Sequence, residues 1–159
     1  MKNITLAVLL LIVTFSSFAG GGWPKKKGEG YFKLGQGSIL GKNYYTSGSE
    51  VVGPEDGFTQ INFFETYLYG EYGVTDRVTM IGYLPLLTHL AKAGIVDGNT
   101  GATLVPSENL SSVGDMLFSF KYGIIPDQKV VWSAQLNLKL PTGEASGGAS
   151  GTLQTGDGA

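Results

Sequence analysis

The chain has 159 residues, enough for one domain or for part of a larger closed sheet, and its net charge of −2 and pI near 5.3 give no basic footprint for nucleic acid. Twenty-five glycines with eight tyrosines and eight phenylalanines favour a turn-rich, aromatic-rich β protein. The absence of cysteine excludes a disulfide framework, a thiol nucleophile, a thiolate metal site and an acylated lipoprotein cysteine.

Met1 to Ala19 reads as a secretory signal: Lys2 near the amino terminus, an unbroken run without charge from Ile4 to Val13, then Ser17-Phe18-Ala19 with small residues where a signal peptidase inspects the chain. A retained anchor helix is disfavoured, because a spanning helix needs about 20 apolar residues. The mature chain is expected to begin near Gly20 and leave the cytoplasm. Residues 20–30 form a polar arm with Trp23-Pro24 and Lys25-Lys26-Lys27, read as a solvated segment rather than an anionic-surface binder.

Strand signals follow. Tyr31 to Leu40 sets Phe32 and Leu34 against Tyr31 and Lys33, with bend glycines at 35 and 37, and the Gly-, Ser- and Asn-bearing stretch from Gly41 to Phe58 is a long loop. Thr59 to Tyr72 is the second strand. Because an acid facing lipid is unfavourable, Glu65 and Glu71 are placed inward with Leu68 and Tyr72 outward, and a bulge is expected near Phe63-Phe64. Gly73-Val74-Thr75-Asp76 makes a tight turn into a third strand, Arg77 to Leu86, with Val78, Met80, Gly82, Leu84 and Leu86 on its apolar face. Leu87 to Val113 is a second long loop, and Gly114 to Tyr122 a fourth strand with Met116, Phe118, Phe120 and Tyr122 set against Asp115, Ser119 and Lys121.

A short link through Pro126-Asp127 leads to the clearest strand, Val130 to Leu140. Val130, Trp132, Ala134, Leu136, Leu138 and Leu140 share one face and Ser133, Gln135, Asn137 and Lys139 the other, with Val131 out of character. Eleven residues at about 3.3 Å each reach roughly 36 Å, which at a tilt of about 40° projects to roughly 27 Å, near the apolar band of an outer-membrane barrel. From Pro141 onward the chain is rich in Gly, Ser and Thr.

Long connections at 41–58, 87–113 and from 141 alternate with short ones at 73–76 and 123–129, the habit of up-and-down barrels with long outer loops and short periplasmic turns. Tyr72, Tyr122 and Trp132 then fall at the periplasmic rim as the start of an aromatic girdle. Five strands are legible, whereas bacterial single-chain barrels have even numbers and open edges cannot sit in lipid. The expectation is an all-β, antiparallel up-and-down transmembrane barrel, of which this sequence is the N-terminal part.

Three stretches carry a family resemblance. Leu68-Tyr69-Gly70-Glu71-Tyr72-Gly73-Val74-Thr75-Asp76-Arg77-Val78-Thr79 followed by Leu84-Pro85, Gly114-Asp115 opening the fourth strand, and Leu138-Lys139-Leu140-Pro141-Thr142-Gly143 closing the fifth resemble outer-membrane proteins of the meta-pathway of phenol degradation family. The closing Thr155-Gly156-Asp157 is similar to the point where the next strand starts in that family. The resemblance spans roughly residues 28–159. It implies an outer-membrane β-barrel, a class often labelled transporters of hydrophobic or aromatic compounds. The family also has a C-terminal half that this chain lacks.

The candidate site is the inward row: Glu65, Glu71, Arg77, Asp115, Lys121, Gln135, Asn137 and Lys139. Side chains of both signs either line a polar path that tunes selectivity or pair with one another as packing groups. Tyr67, Tyr69 and Tyr83 share that face and either stack on aromatic solutes or fill the interior. His89, the sole histidine, has serines in the chain but no G-x-S-x-G elbow, so no catalytic residue is assigned. Asp97-Gly98-Asn99 and Gly156-Asp157-Gly158 lack the spacing of a calcium loop and read as turns, and the glycines at 147, 148 and 151 lack the lysine of a phosphate loop. No cofactor or metal is expected. The partners expected are outer-membrane lipid and a small-molecule solute, with no nucleic acid. The function expected is a passive channel or transporter; the alternatives are an adhesive or structural envelope protein acting through its long loops, and a secreted soluble β-sandwich.

Overall fold

The computed structural model describes residues 21–53 and 60–158; the expected signal segment, Gly20, residues 54–59, which include the expected start of the second strand at Thr59, and Ala159 lie outside the described residues. Every regular element in the described residues is a strand: β1 (Gly30–Gly41), β2 (Tyr44–Tyr45), β3 (Val51–Val52), β4 (Ile61–Gly73), β5 (Val78–Lys92), β6 (Ile95–Val96), β7 (Thr103–Val105), β8 (Glu108–Ser112), β9 (Met116–Ile125) and β10 (Trp132–Leu140). One antiparallel sheet runs β1-β4-β5-β9-β10, with β8 also paired to β5, while β2-β3 and β6-β7 are small hairpins in the long connections. No closed barrel is seen among the described residues. Four antiparallel steps make β1 and β10 run the same way, and among the described residues no strand lies beside their outer edges.

The five long strands arise where polar and apolar residues alternate, and the punctuation between them is local chemistry. At the β4–β5 turn Val74 N donates to Val78 O at 2.9 Å, while Thr75 Oγ1 accepts from Arg77 N at 3.2 Å and Val78 N at 3.0 Å. This side-chain turn satisfies the amides that leave the ladder. Pro85 marks a different change. Below it β5 pairs with β9 from Val78 to Tyr83, and above it with β8 from Thr88 to Lys92. Proline has no N–H to give a ladder and is tolerated at such a break. Its carbonyl accepts Gly114 N at 3.1 Å, and a Cβ on Gly114 would meet the Pro85 ring at 2.7 Å, so the chain crosses from β8 to β9 only because residue 114 has no side chain.

Several strand bounds differ from expectation; β9, for one, runs Met116–Ile125 rather than Gly114–Tyr122. β5 continues to Lys92 instead of ending at Leu86, because residues 88–92 find β8 inside what reads as loop. The bulge lies at Leu86 in β5 rather than at Phe63-Phe64: Thr66 faces Leu87 and Tyr67 faces Pro85, leaving Leu86 without a partner and both Leu86 and Leu87 exposed on one side. β10 begins at Trp132, since Val130 and Val131 belong to the connection from β9.

Register sorts the side chains into two faces. Phe32 and Leu34, Leu68 and Tyr72, Met80 and Leu84, Phe118 and Phe120, and Leu136 and Leu138 share one side. Much of this side is open; Phe32 is 75% exposed and Leu136 60%. The other side carries Tyr31, Glu71, Ile81, Ser119 and Asn137 in one cross-strand row and Lys33, Tyr69, Tyr83, Leu117 and Lys139 in the next. Among the described residues the buried hydrophobic side chains are Ile81 and Leu153, whereas Glu71, Thr79, Thr88, Glu108, Ser119 and Lys121 are all buried. This is the reverse of a soluble core, where charged residues are the group least often buried.

Candidate functional site

The polar face is built from ladder positions, so each group's place follows from strand register. On β4, Glu71 is 4% exposed, and its Oε1 accepts the Tyr69 hydroxyl at 2.5 Å and that of Tyr31, from β1, at 3.3 Å. Glu65 accepts the Tyr83 hydroxyl from β5 in the same manner. Phenol donors thus take the role that water would play for each carboxylate. The rings between them stack: Tyr67 and Tyr83 have centroids 5.1 Å apart and Tyr31 and Tyr69 5.8 Å, and the Lys33 ammonium lies 5.4 Å from the centre of the Tyr67 ring. Such contacts fix tyrosines that would otherwise lose rotamer freedom without return.

Across β9 and β10 the groups are amides, a hydroxyl and an ammonium. Asn137 Oδ1 accepts both Ser119 Oγ and Gln135 Nε2 at 2.7 Å. Lys121 is 7% exposed and donates to the carbonyl of Gly21 at 3.1 Å. That carbonyl belongs to the N-terminal arm, which lies across the polar face at the short-turn end. Lys25 N donates to Thr79 Oγ1 at 2.7 Å, Lys27 N to Asp76 Oδ1 at 3.1 Å, and Gly28 N to Gly73 O at 2.8 Å. Pro24 packs against Gly123, and the Lys25 ammonium lies 4.9 Å from the centre of the Tyr31 ring. The arm is therefore a strap bonded to the sheet and not the free solvated segment expected from its lysines.

Glu65, Glu71, Lys121, Gln135, Asn137 and Lys139 share this one face. Two expected members do not join the row. Arg77 sits exposed in the β4–β5 turn, because the Thr75 turn ends the strand before it. Asp115 precedes β9 rather than lying within it, since its carboxylate is taken by the loop beyond β10: Oδ1 accepts Gly143 N at 2.8 Å, and Oδ2 accepts Asp157 N at 3.1 Å and pairs with the Lys139 ammonium at 2.9 Å. Lys139 also pairs with Asp157. The Lys139 ammonium and the Gly143 amide hold the Asp115 carboxyl well below the usual carboxylate range. A second clasp holds the same loop from above, where Glu108 bonds Lys92 at 3.1 Å and accepts Ser150 N and Oγ at 2.8 and 2.7 Å.

Tyr31 and Lys33 join the face without having been expected there as site residues, although their parity against Phe32 and Leu34 is legible. Equally unexpected are the arm, whose backbone donors and acceptors leave no side-chain signal, and Lys92 and Glu108, which lie in strands hidden inside a nominal loop.

His89 does meet a serine: Nδ1 lies 2.6 Å from Ser111 Oγ, its cross-strand neighbour on β8, beside the Phe64 ring at 6.2 Å. Among the described residues no carboxylate or amide bonds the other ring nitrogen, so the pair lacks the orienting group of a triad. Asp97 closes a turn, its Oδ1 accepting Asn99 N and Thr100 N at 2.8 Å with Gly101 at φ +69°. Those two amides, Thr100 first, lower its carboxyl. Among the described residues no cluster of three metal-ligating side chains occurs.

No known family model, curated protein or solved structure matches the chain.

Proposed function

We propose that this chain forms wall strands of an outer-membrane β-barrel that acts as a passive channel or transporter for small molecules. The observation that carries the reading is the polarity of the sheet, with an open face of Phe, Leu, Met and Tyr and an opposite, polar face on which Glu71, Thr79, Ser119 and Lys121 are buried. Hydrocarbon suits the first face and water the second, as in barrels whose strands alternate apolar-out and polar-in. The long connections at one end, the short turns at the other, and Tyr72, Tyr122 and Trp132 exposed near the short-turn end agree with it. The family resemblance points the same way and adds hydrophobic or aromatic solutes.

Since β1 and β10 run in parallel, antiparallel closure takes an odd number of further strands between their edges, which makes the total even. The inside of such a wall offers tyrosine rings, paired carboxylates and lysines to a passing solute. The test is permeability: liposomes carrying the closed barrel should swell in small aromatic solutes faster than empty liposomes. Equal rates would remove the transport reading.

A further inference from the structure

Beneath the N-terminal strap, between it and the sheet, lies a cleft of about 410 Å³. Gly21 and Gly22 roof it, Ile81 and Leu117 give it an apolar floor, and Tyr69 and Tyr83 form a wall. Lys121 and Glu71 sit at its polar boundary, on strands separated by β5. Lys121 is the unusual member. It is a buried ammonium, and among the described residues no carboxylate pairs with it; its partner is a single backbone carbonyl at 3.1 Å. A buried cation without a counter-charge is unfavourable, and a carbonyl dipole offsets only part of that cost. Lys92 and Lys139, on the same sheet, each hold a carboxylate.

We infer that this cleft binds a small organic monocarboxylate with a compact apolar body. The carboxylate takes the Lys121 ammonium in place of, or beside, the Gly21 carbonyl, and the body rests on Ile81 and Leu117 against the tyrosine wall. Glu71, already supplied with two hydroxyl donors, supplies the selectivity: its charge repels a second carboxylate on the ligand, so monoanions bind and dianions do not. The glycines at 21 and 22 let the strap lie close over the bound molecule. This inference rests on the barrel reading, which puts the polar face against water and within reach of solutes.

The test titrates the full chain, folded in zwitterionic micelles, with benzoate, benzyl alcohol and phthalate at pH 7. Benzoate is expected to bind about tenfold or more tightly than benzyl alcohol, the magnitude of one charge pair in a sheltered site, and more tightly than phthalate. Lys121→Met should abolish the preference for benzoate over the alcohol and Lys121→Arg should keep it. Equal binding of benzoate and benzyl alcohol by the wild type, or an undiminished preference in Lys121→Met, overturns the assignment. Where Lys121→Met fails to fold by circular dichroism, the wild-type ratio decides alone. A spin label at position 136 on the same preparation separates the two claims: a label exposed to detergent chains with no benzoate preference refutes the cleft and leaves the barrel, whereas a label in bulk water refutes the barrel and this inference with it.

Discussion

The ring of Tyr67 on β4 lies over the backbone of Gly35, its directly opposed partner on β1; a Cβ built on Gly35 would stand 2.5 Å from Tyr67 Cζ. Gly35 is thus a seat for the ring that also stacks on Tyr83 and receives Lys33. Gly35→Ala should displace the ring and destabilise the sheet by about 1–3 kcal/mol, the usual range for overpacking. Gly37, two residues on and on the same face, has open space where a Cβ would go, so Gly37→Ala should stay within about 0.5 kcal/mol of wild type. Urea midpoints of the two variants in micelles check the contrast.

The clasp between Asp115 and the 141–158 loop should open in acid. The folded-state carboxyl is depressed, so its contribution is fully present above the unfolded value of about 3.9 and is lost as pH falls through the folded one. Limited proteolysis should therefore spare the loop at pH 7 and cut it increasingly below pH 4. In Asp115→Asn cleavage should be fast already at pH 7 and its pH dependence flatter. Equal cleavage of both proteins at pH 7 would show that the clasp does not hold the loop.

The strap should depend on one hydroxyl. Thr79 is fully buried and accepts the Lys25 amide, and valine matches its shape without an acceptor. Thr79→Val should weaken the docking of residues 21–29 by about 1–2 kcal/mol and speed amide exchange of Lys25 accordingly, with β5 itself unchanged. Unaltered exchange at Lys25 would mean that the strap is held elsewhere.

The all-β, antiparallel character was legible because alternation survives along most of each long strand, and register places Leu136 and Leu138 together on the apolar side of β10. What escaped is tertiary in origin. The upper half of β5 looks like loop because Thr88, His89 and Lys92 interrupt the apolar pattern, and only β8, five residues without such a pattern of their own, makes it strand. Parity alone places Asp115 in the row, but its carboxylate is captured by amides 28 and 42 residues downstream, a relation no local pattern encodes. The strap is likewise invisible, since Gly21 O and the amides of Lys25 and Lys27 exist in any sequence. That Glu65, Glu71, Lys121, Gln135, Asn137 and Lys139 share one face was legible where strands are regular, and membership was illegible where they end.

Adjacent positions on β10 should respond in opposite ways to the same charge. Leu136 lies on the apolar face and Gln135 on the polar one, opposite Phe120 and Lys121 respectively. In liposomes carrying the closed barrel, Leu136→Arg should lower stability by about 2–4 kcal/mol, the depth-dependent cost of arginine near the bilayer midplane. Gln135→Glu, which puts a carboxylate on the polar face directly opposite Lys121, should not lower it. Similar losses for both would contradict the two-faced assignment.

The most direct measurement is a scan along β10. These 159 residues contain no cysteine, so single cysteines at 133–138 can each carry a spin label in the closed barrel reconstituted in a membrane. Collision with oxygen dissolved in lipid should dominate at 134, 136 and 138, and collision with a water-soluble nickel chelate at 133, 135 and 137, giving a period of two. Labels at the even positions that report bulk water or a tightly packed protein interior would contradict the claim that acyl chains cover the Leu136–Leu138 side of the sheet.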